Sequence, residues 1–255
     1  MDIQINQNIL YSEQFPRSNK YDPKWIFKNQ MGPNPLWLTE FLTQSFDLKP
    51  GMRVLDLGCG TGMTSVFLAR EFGVQVYAVD LWDSPDRKWK NAKEHGVEHL
   101  IIPIQADARK LPFAKDFFDV IISIDSYFYY GADEFYLNYI LQYLRPNGNI
   151  GFVSPCVMKD FANSVPEHLN KGFWEPECWA YHTLQWWKDL WERSGKVSIS
   201  VADNLPNGCA LWLRWDEVLA SIDKDSNYDH SVDIKALKED SGEYIGFIRL
   251  VATKK

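Results

Sequence analysis

Val54-Leu55-Asp56-Leu57-Gly58-Cys59-Gly60-Thr61-Gly62 is the stretch whose reading decides the fold. Residues 53–57 form a short apolar run broken by one acid, long enough for a buried strand and too short for a helix. Glycines at 58, 60 and 62 follow at once, and a helical pattern then begins with Met63, Val66 and Phe67 at i, i+3, i+4 spacing. Gly73 stands where a helix C-terminus takes a left-handed residue. A strand that runs through a glycine turn into a helix N-terminus is the nucleotide-binding crevice of an open α/β sheet. Glycine is needed there because a Cβ holds the chain away from the ligand. On that reasoning Gly58→Val is expected to block the ligand while leaving much of the sheet formed.

The spacing of the glycines sorts the nucleotide classes. A dinucleotide fingerprint needs its third glycine three residues after the second, and that position is Met63. A phosphate-cradling loop of the Gly-Lys-Ser/Thr kind needs a lysine after Gly62, where Met63 again stands. What remains is Asp-x-Gly-x-Gly-x-Gly over residues 56–62, which resembles the first motif of the class I S-adenosylmethionine-dependent methyltransferases. Taken alone, the stretch can also be a strand-to-helix turn whose glycines serve only packing.

At 255 residues the chain is long enough to bury a sizeable core, in one large domain or two small ones. Eleven Trp and twelve Tyr are a heavy aromatic load, and they cluster, which makes an aromatic cap worth looking for. A net charge of −7 lacks the basic face that a nucleic-acid partner calls for, so none is expected. Cys59, Cys156, Cys178 and Cys209 form no Cys-x-x-Cys pair and no short-range Cys/His group, so no metal is expected. Residues 1–4 show no basic region leading into an apolar core, and no apolar stretch approaches the ~20 residues of a membrane span. The expectation is a cytoplasmic protein with no membrane partner. Nothing in the composition speaks to oligomeric state.

Along the chain, residues 1–35 read as an N-terminal arm interrupted by Pro16, Pro23, Pro33 and Pro35. It is either packing on the domain or a lid, with Tyr21 and Trp25 facing the pocket. Residues 36–46 read as an amphipathic helix, and residues 74–79 as a second strand ending in Asp80. An acid about 20 residues beyond the glycine turn sits where a ribose diol lies, although a surface aspartate closing a strand reads the same way. Leu81 and Trp82 follow as packing for an adenine. Residues 89–98 read as a helix carrying His95 and His99 at i, i+4. A third strand over 100–105, a fourth over 117–124, a helix over 136–144 and a fifth strand over 149–154 complete the alternation that specifies a doubly wound parallel sheet. Beyond 155 come an aromatic and acidic loop, a helix capped by Thr183 with Trp187, Leu190 and Trp191 inward, and a strand over 196–202. A helix over 210–221, a polar loop over 223–230 and a last strand over 244–253 end the chain.

With those elements in order, the resemblance to class I methyltransferases covers residues 36–155. Asp107, Leu111-Pro112-Phe113, Phe118-Asp119-Val120 and Leu144-Arg145-Pro146-Asn147-Gly148 are similar to the later motifs of its small-molecule members. The resemblance implies an α/β fold: a doubly wound, mostly parallel seven-stranded sheet of Rossmann-like type over residues 36–255, closed by an antiparallel hairpin. Cap insertions would lie at about 155–185 and 203–243. It implies S-adenosylmethionine as cofactor, held by Asp56, Gly58, Cys59, Gly60, Gly62, Asp80, Leu81, Trp82, Asp107, Ala108 and Asp125. Asp107 matches the acid that recognises the adenine amino group in that family.

Methyl transfer from a sulfonium needs alignment and water exclusion more than a nucleophilic side chain, so catalytic residues leave the weakest trace. The end of the fourth strand, beside the transferring methyl in this family, reads Asp125-Ser126-Tyr127-Phe128-Tyr129-Tyr130. It departs from the Asp/Asn-Pro-Pro-Tyr signature of enzymes acting on amide or base nitrogens. Tyr129 as a catalytic contact and Tyr127 and Tyr130 as substrate contacts are one reading; packing beneath a lid is the other. In the aromatic insertion His182 is the general-base candidate, or a packed histidine. Tyr21, Trp25, Trp174, Trp179 and Trp186 are candidate substrate contacts, and Glu175 and Glu177 can pair with a cationic amine. The expected function is methyl transfer to a small-molecule metabolite. The alternative is a non-catalytic S-adenosylmethionine-binding sensor or scaffold.

Overall fold

The computed structural model describes residues 6–222 and 228–255; residues 223–227 of the expected polar loop lie outside them. In chain order the described elements are α1 (Pro23–Asn29), α2 (Pro35–Thr43), β1 (Arg53–Leu57), α3 (Met63–Phe72), β2 (Gln75–Asp80), α4 (Pro85–Glu94) and β3 (Ile101–Gln105). There follow β4 (Phe118–Ile124), α5 (Phe128–Gly131), α6 (Tyr136–Leu141), β5 (Leu144–Val157), α7 (Glu167–Asn170) and α8 (Leu184–Arg193). The chain ends with β6 (Val197–Asn204), α9 (Gly208–Ile222), α10 (His230–Asp240) and β7 (Ile245–Lys254). Seven strands form one sheet in the order β3-β2-β1-β4-β5-β7-β6. The first five run parallel, and β7 pairs antiparallel with both β5 and β6.

Period-two alternation sorts the central strands between two cores. Val54, Val120, Ile122 and Ile124 face a layer built from α2, α3 and α9, where Phe41, Phe67 and Trp215 are buried. Leu55, Leu57 and Ile121 face the opposite layer, with Leu137 and Ile140 of α6 and Trp187 and Trp191 of α8. Every residue of β4 is buried, because helices cover both faces of the sheet. A third cluster joins Leu169, Phe173, Cys209 and Leu237, so the two insertions after β5 and β6 pack on each other.

Several boundaries differ from the sequence reading for identifiable reasons. Helix α2 is not amphipathic: eight of its nine residues are buried, because the N-terminal arm covers its outer face. Phe15 stacks on Trp37, and the Glu40 carboxylate accepts from the backbone of Arg17 and Ser18 and from the Ser18 hydroxyl. Helix α4 starts earlier than expected, at Ser84-Pro85, where the serine oxygen accepts from Arg87 N and proline occupies the first turn. It also stops before His95, since Gly96 takes φ +67°, so His95 and His99 never share a helical face. Helix α10 begins at His230, inside what reads as the end of a polar loop, with Asp229 accepting from Ser231 N as its cap.

Candidate active site

Strand order reverses between β1 and β4, and a crevice opens there at the C-terminal ends of the strands. The glycine turn forms its floor. Gly58 N and Cys59 N donate to the Val79 carbonyl at 2.8 and 3.1 Å, and Gly60 N donates to Asp80 Oδ2 at 2.9 Å. Gly58 has φ +75°, and a Cβ on it would land on the Ser126 side chain. Ser126 cannot retreat: Ser123, Ser126 and Tyr130 share hydroxyl contacts of 2.8–3.0 Å, and Ser126 and Tyr130 both donate toward the Leu57 carbonyl. Thus the end of β4 demands the glycine before any ligand arrives.

Asp56 lies beneath the floor, fully buried, and Oδ2 accepts from the Thr64 and Ser65 hydroxyls at 2.6 Å each. It therefore fastens the start of α3 to β1 and forms no part of the cavity wall, in place of the cofactor contact that the resemblance implied. Burial pushes its carboxyl up to about 6, against the pull of the two hydroxyls. A folded-state value above the ordinary one means that the contribution to stability is complete below about pH 4 and is lost as pH rises through about 6. Asp56→Asn, whose carbonyl oxygen can still accept both hydroxyls, is expected to gain on the wild type by up to roughly 3 kcal/mol between about pH 4 and 7. Melting curves across that range test this, and a pH-independent difference would refute it. Asp56→Ala instead strands both buried hydroxyls, at ~1–3 kcal/mol each.

The crevice is a cavity of about 600 Å³. On its walls the structure brings together Gly58, Cys59, Gly60, Asp80, Leu81, Trp82, Asp107, Ala108, Asp125, Tyr129 and Tyr130 from the expected set. Asp80 Oδ1 accepts from Trp82 N and Asp83 N at 2.8 and 2.9 Å, so its carboxylate organises both the glycine turn and the exit from β2. Both Asp107 oxygens meet the Arg109 guanidinium, at 3.0 and 3.2 Å, and that pairing holds the Asp107 carboxyl below the usual range. Trp82 and Tyr129 stand exposed at the mouth, edge to face with centroids 6.0 Å apart. Burial, and then the nearby Asp125 carboxyl, push the Tyr129 hydroxyl up to about 12. Asp125 itself ends β4 in the left-handed region at φ 52°, and burial pushes its carboxyl well above the usual range.

The other expected contacts are not on the cavity wall. Tyr21 and Trp25 stack on each other, with Phe67 and His95 as further partners, on the outer side of α3. Their apolar surface is satisfied by that packing. Gly62 caps α3 and backs onto Lys88. Tyr127 is buried in the second core, stacked on Phe152 at 4.5 Å. Trp174 packs against Phe161 and Tyr181, and Trp179 is 67% exposed on the outside of the cap. His182 and Trp186 stack on each other at 3.7 Å, away from the cavity, and burial lowers the His182 pKa.

An arm does close over the crevice, but with other residues. Asn29, Met31 and Gly32 line the cavity. The Asn29 carbonyl accepts from Thr61 Oγ1, and Asn91 Nδ2 donates to both Asn29 Oδ1 and the Thr61 carbonyl. Trp215 Nε1 holds the Gly32 carbonyl at 2.9 Å from the α9 side. Arg109 and Ser126 also line the cavity and went unmarked as site residues; Glu177, read from the sequence as a partner for a cationic amine, lines it too. The prolines at 33 and 35 read as punctuation, and only long-range pairing shows that the residues before them form a strap.

Residues 54–148 match the family described as a methyltransferase domain. Over 110 residues the chain is 31% identical to a glycine/sarcosine/dimethylglycine N-methyltransferase of Actinopolyspora halophila, covering 43% of this chain and 20% of that protein. It is 28% identical to the methyltransferase GfsG of Streptomyces halstedii over 137 residues, 53% of this chain and 49% of that one. The chain thus spans at most about half the length of these curated relatives. Among solved structures, geranyl diphosphate C-methyltransferase from Streptomyces coelicolor, in complex with S-adenosyl-L-homocysteine, shares the fold with a TM-score of 0.67. Identity to it is 17%, over 85% of this chain and 76% of that one. The glycine turn at the reversal of strand order lies within residues 54–148, the stretch that matches the methyltransferase-domain family.

Proposed function

We propose that the chain binds S-adenosylmethionine in this crevice and transfers its methyl group to an O, N, S or C atom of a small molecule by in-line displacement. The observation that carries this reading is one continuous cavity lined both by Gly60, Asp80 and Asp107 and by Asp125, Tyr129 and Glu177. Its volume of about 600 Å³ suits a small-molecule site, for which ~300–1,000 Å³ is usual. The residues fit the cofactor. Asp80 offers a ribose diol two acceptor oxygens, and Leu81 and Trp82 offer an adenine exposed apolar faces. Carboxylates and tyrosine faces suit a sulfonium.

When bound, the cofactor supplies a methyl group on cationic sulfur, whose C–S electron pair returns to sulfur as the acceptor's lone pair forms the new bond. The protein's part is to align and to exclude water. Met31 closes over the turn, since a Cβ on Gly60 would come within 2.9 Å of its sulfur. The Ser123–Ser126–Tyr130 hydroxyl group fixes the end of β4, and with it the position of Asp125 and Tyr129.

Two measurements test the reading. Calorimetry with S-adenosylhomocysteine should show saturable binding at one site, and its absence ends the proposal. A metabolite screen should then find an acceptor that releases S-adenosylhomocysteine; binding without any turnover would identify a sensor or scaffold instead. His182→Ala is expected to change turnover less than about threefold, whereas loss of a general base costs ~10²–10⁴-fold. A loss of that larger size would place His182 at the acceptor despite its stacking on Trp186.

A further inference from the structure

The four carboxyl side chains on the cavity wall are not equivalent. Asp80 is held by three backbone N–H groups and turns its remaining acceptor capacity to the cofactor, and Asp107 is paired with the Arg109 guanidinium. The Asp125 and Glu177 carboxylates have neither a hydrogen bond nor an ion pair among the described residues, the one hydrogen bond of Asp125 being from its backbone N–H to the Val153 carbonyl. They come from separate elements, the end of β4 and the cap, and both act electrostatically on the Tyr129 hydroxyl that lies with them on the wall. Gly32 makes room for one of them: a Cβ there would come within 2.7 Å of Asp125 Oδ2. Arg109 is the only cationic side chain among the described residues of the wall, and it is already spent on Asp107.

Asp125 is half-buried, and a half-buried carboxylate without a partner costs free energy that a cation recovers; Glu177 is exposed and adds a second negative charge at the rim. The cofactor's expected path runs from the glycine turn past Asp80 to Asp107; Glu177 lies outside it, and Asp125, which the resemblance counted with the cofactor, is reassigned here to the acceptor side. From this we infer that the methyl acceptor is an organic amine that enters as an ammonium ion and carries no carboxylate or phosphate. Asp125 and Glu177 bind it, and the face of Tyr129 packs on it. An acceptor bearing its own anion would meet like charge here with no free cation to receive it. The ammonium must lose one proton to expose its lone pair, and the Asp125 carboxylate beside it accepts that proton. Burial raises the affinity of Asp125 for a proton, which suits the role.

The inference rests on the cofactor reading above, and the test keeps the two apart. The probes are 2-phenylethylamine and 3-phenylpropionate, which are similar in shape and opposite in charge. Each is titrated into the full chain saturated with S-adenosylhomocysteine. The amine is expected to bind and the acid not to. Asp125→Asn and Glu177→Gln should each weaken amine binding about tenfold or more, while S-adenosylhomocysteine affinity stays within about twofold. Asparagine tolerates the left-handed backbone at position 125, so the variant keeps its fold, and matched melting curves check this. Failure of S-adenosylhomocysteine to bind would sink the cofactor reading. If it binds, then equal binding of both probes, binding of neither, or variants that leave amine affinity unchanged would overturn the amine inference alone. A loss of S-adenosylhomocysteine affinity in Asp125→Asn would also overturn it, by assigning that carboxyl to the cofactor.

Discussion

Gly58→Val is expected to abolish cofactor binding and to destabilise the whole domain, a stronger result than the sequence leads one to expect. The backbone at Gly58 has φ +75°, where a β-branched residue is strained by ~1–3 kcal/mol. Its Cβ would also land on Ser126, which is fixed by Ser123, Tyr130 and the Leu57 carbonyl. Forcing that contact adds ~1–3 kcal/mol of overpacking. For a chain of 255 residues the sum corresponds to a fall in melting temperature of roughly 5–20 °C. Gly58→Ala combined with Ser126→Gly removes the collision and keeps the backbone strain, so it should recover part of the loss. A Gly58→Val melt that overlays the wild type would show that the turn is looser than its hydrogen bonds imply.

Asp80→Ala is expected to raise the dissociation constant for S-adenosylmethionine by about 10²–10⁴-fold, from two charge-assisted hydrogen bonds of ~1.5–3 kcal/mol each. The structure adds a second route to the same loss. Asp80 holds Gly60 N, Trp82 N and Asp83 N, so the variant also loosens the turn and the Leu81-Trp82 exit. Calorimetry on a variant shown by its melting curve to be folded measures the effect. An unchanged dissociation constant would remove Asp80 from the site.

Glycines 58, 60 and 62 after an apolar run, and an acid closing the next strand, are local features, and local features survive in sequence. They state the crevice because the turn needs particular backbone angles and the strand a particular length. The same holds for the helix capped by Thr183: Trp187, Leu190 and Trp191 share one face at helical spacing, and all three are buried. Aromatic residues in loops carry no such signal. Trp174, Trp179, Tyr21 and Trp25 are apolar and clustered, but clustering says only that they need a partner, not which one. Tyr21 and Trp25 found it on α3, and His182 found it in the ring of Trp186.

By itself, then, the sequence determined the mostly parallel α/β sheet and the place of the crevice. Each depends on periodicity, glycine geometry or distance along one chain segment. Only the tertiary structure decided that Asp56 is a fastening beneath the floor, that Ser126 is what requires Gly58, and that Asn29, Met31 and Gly32 cover the site. It also decided which carboxylates on the wall are spent and which are free, as with Asp107 on Arg109 and the unpartnered Asp125. These depend on contacts between segments far apart in sequence, such as the Trp215 indole on the Gly32 carbonyl, and no local pattern encodes a partner 183 residues away.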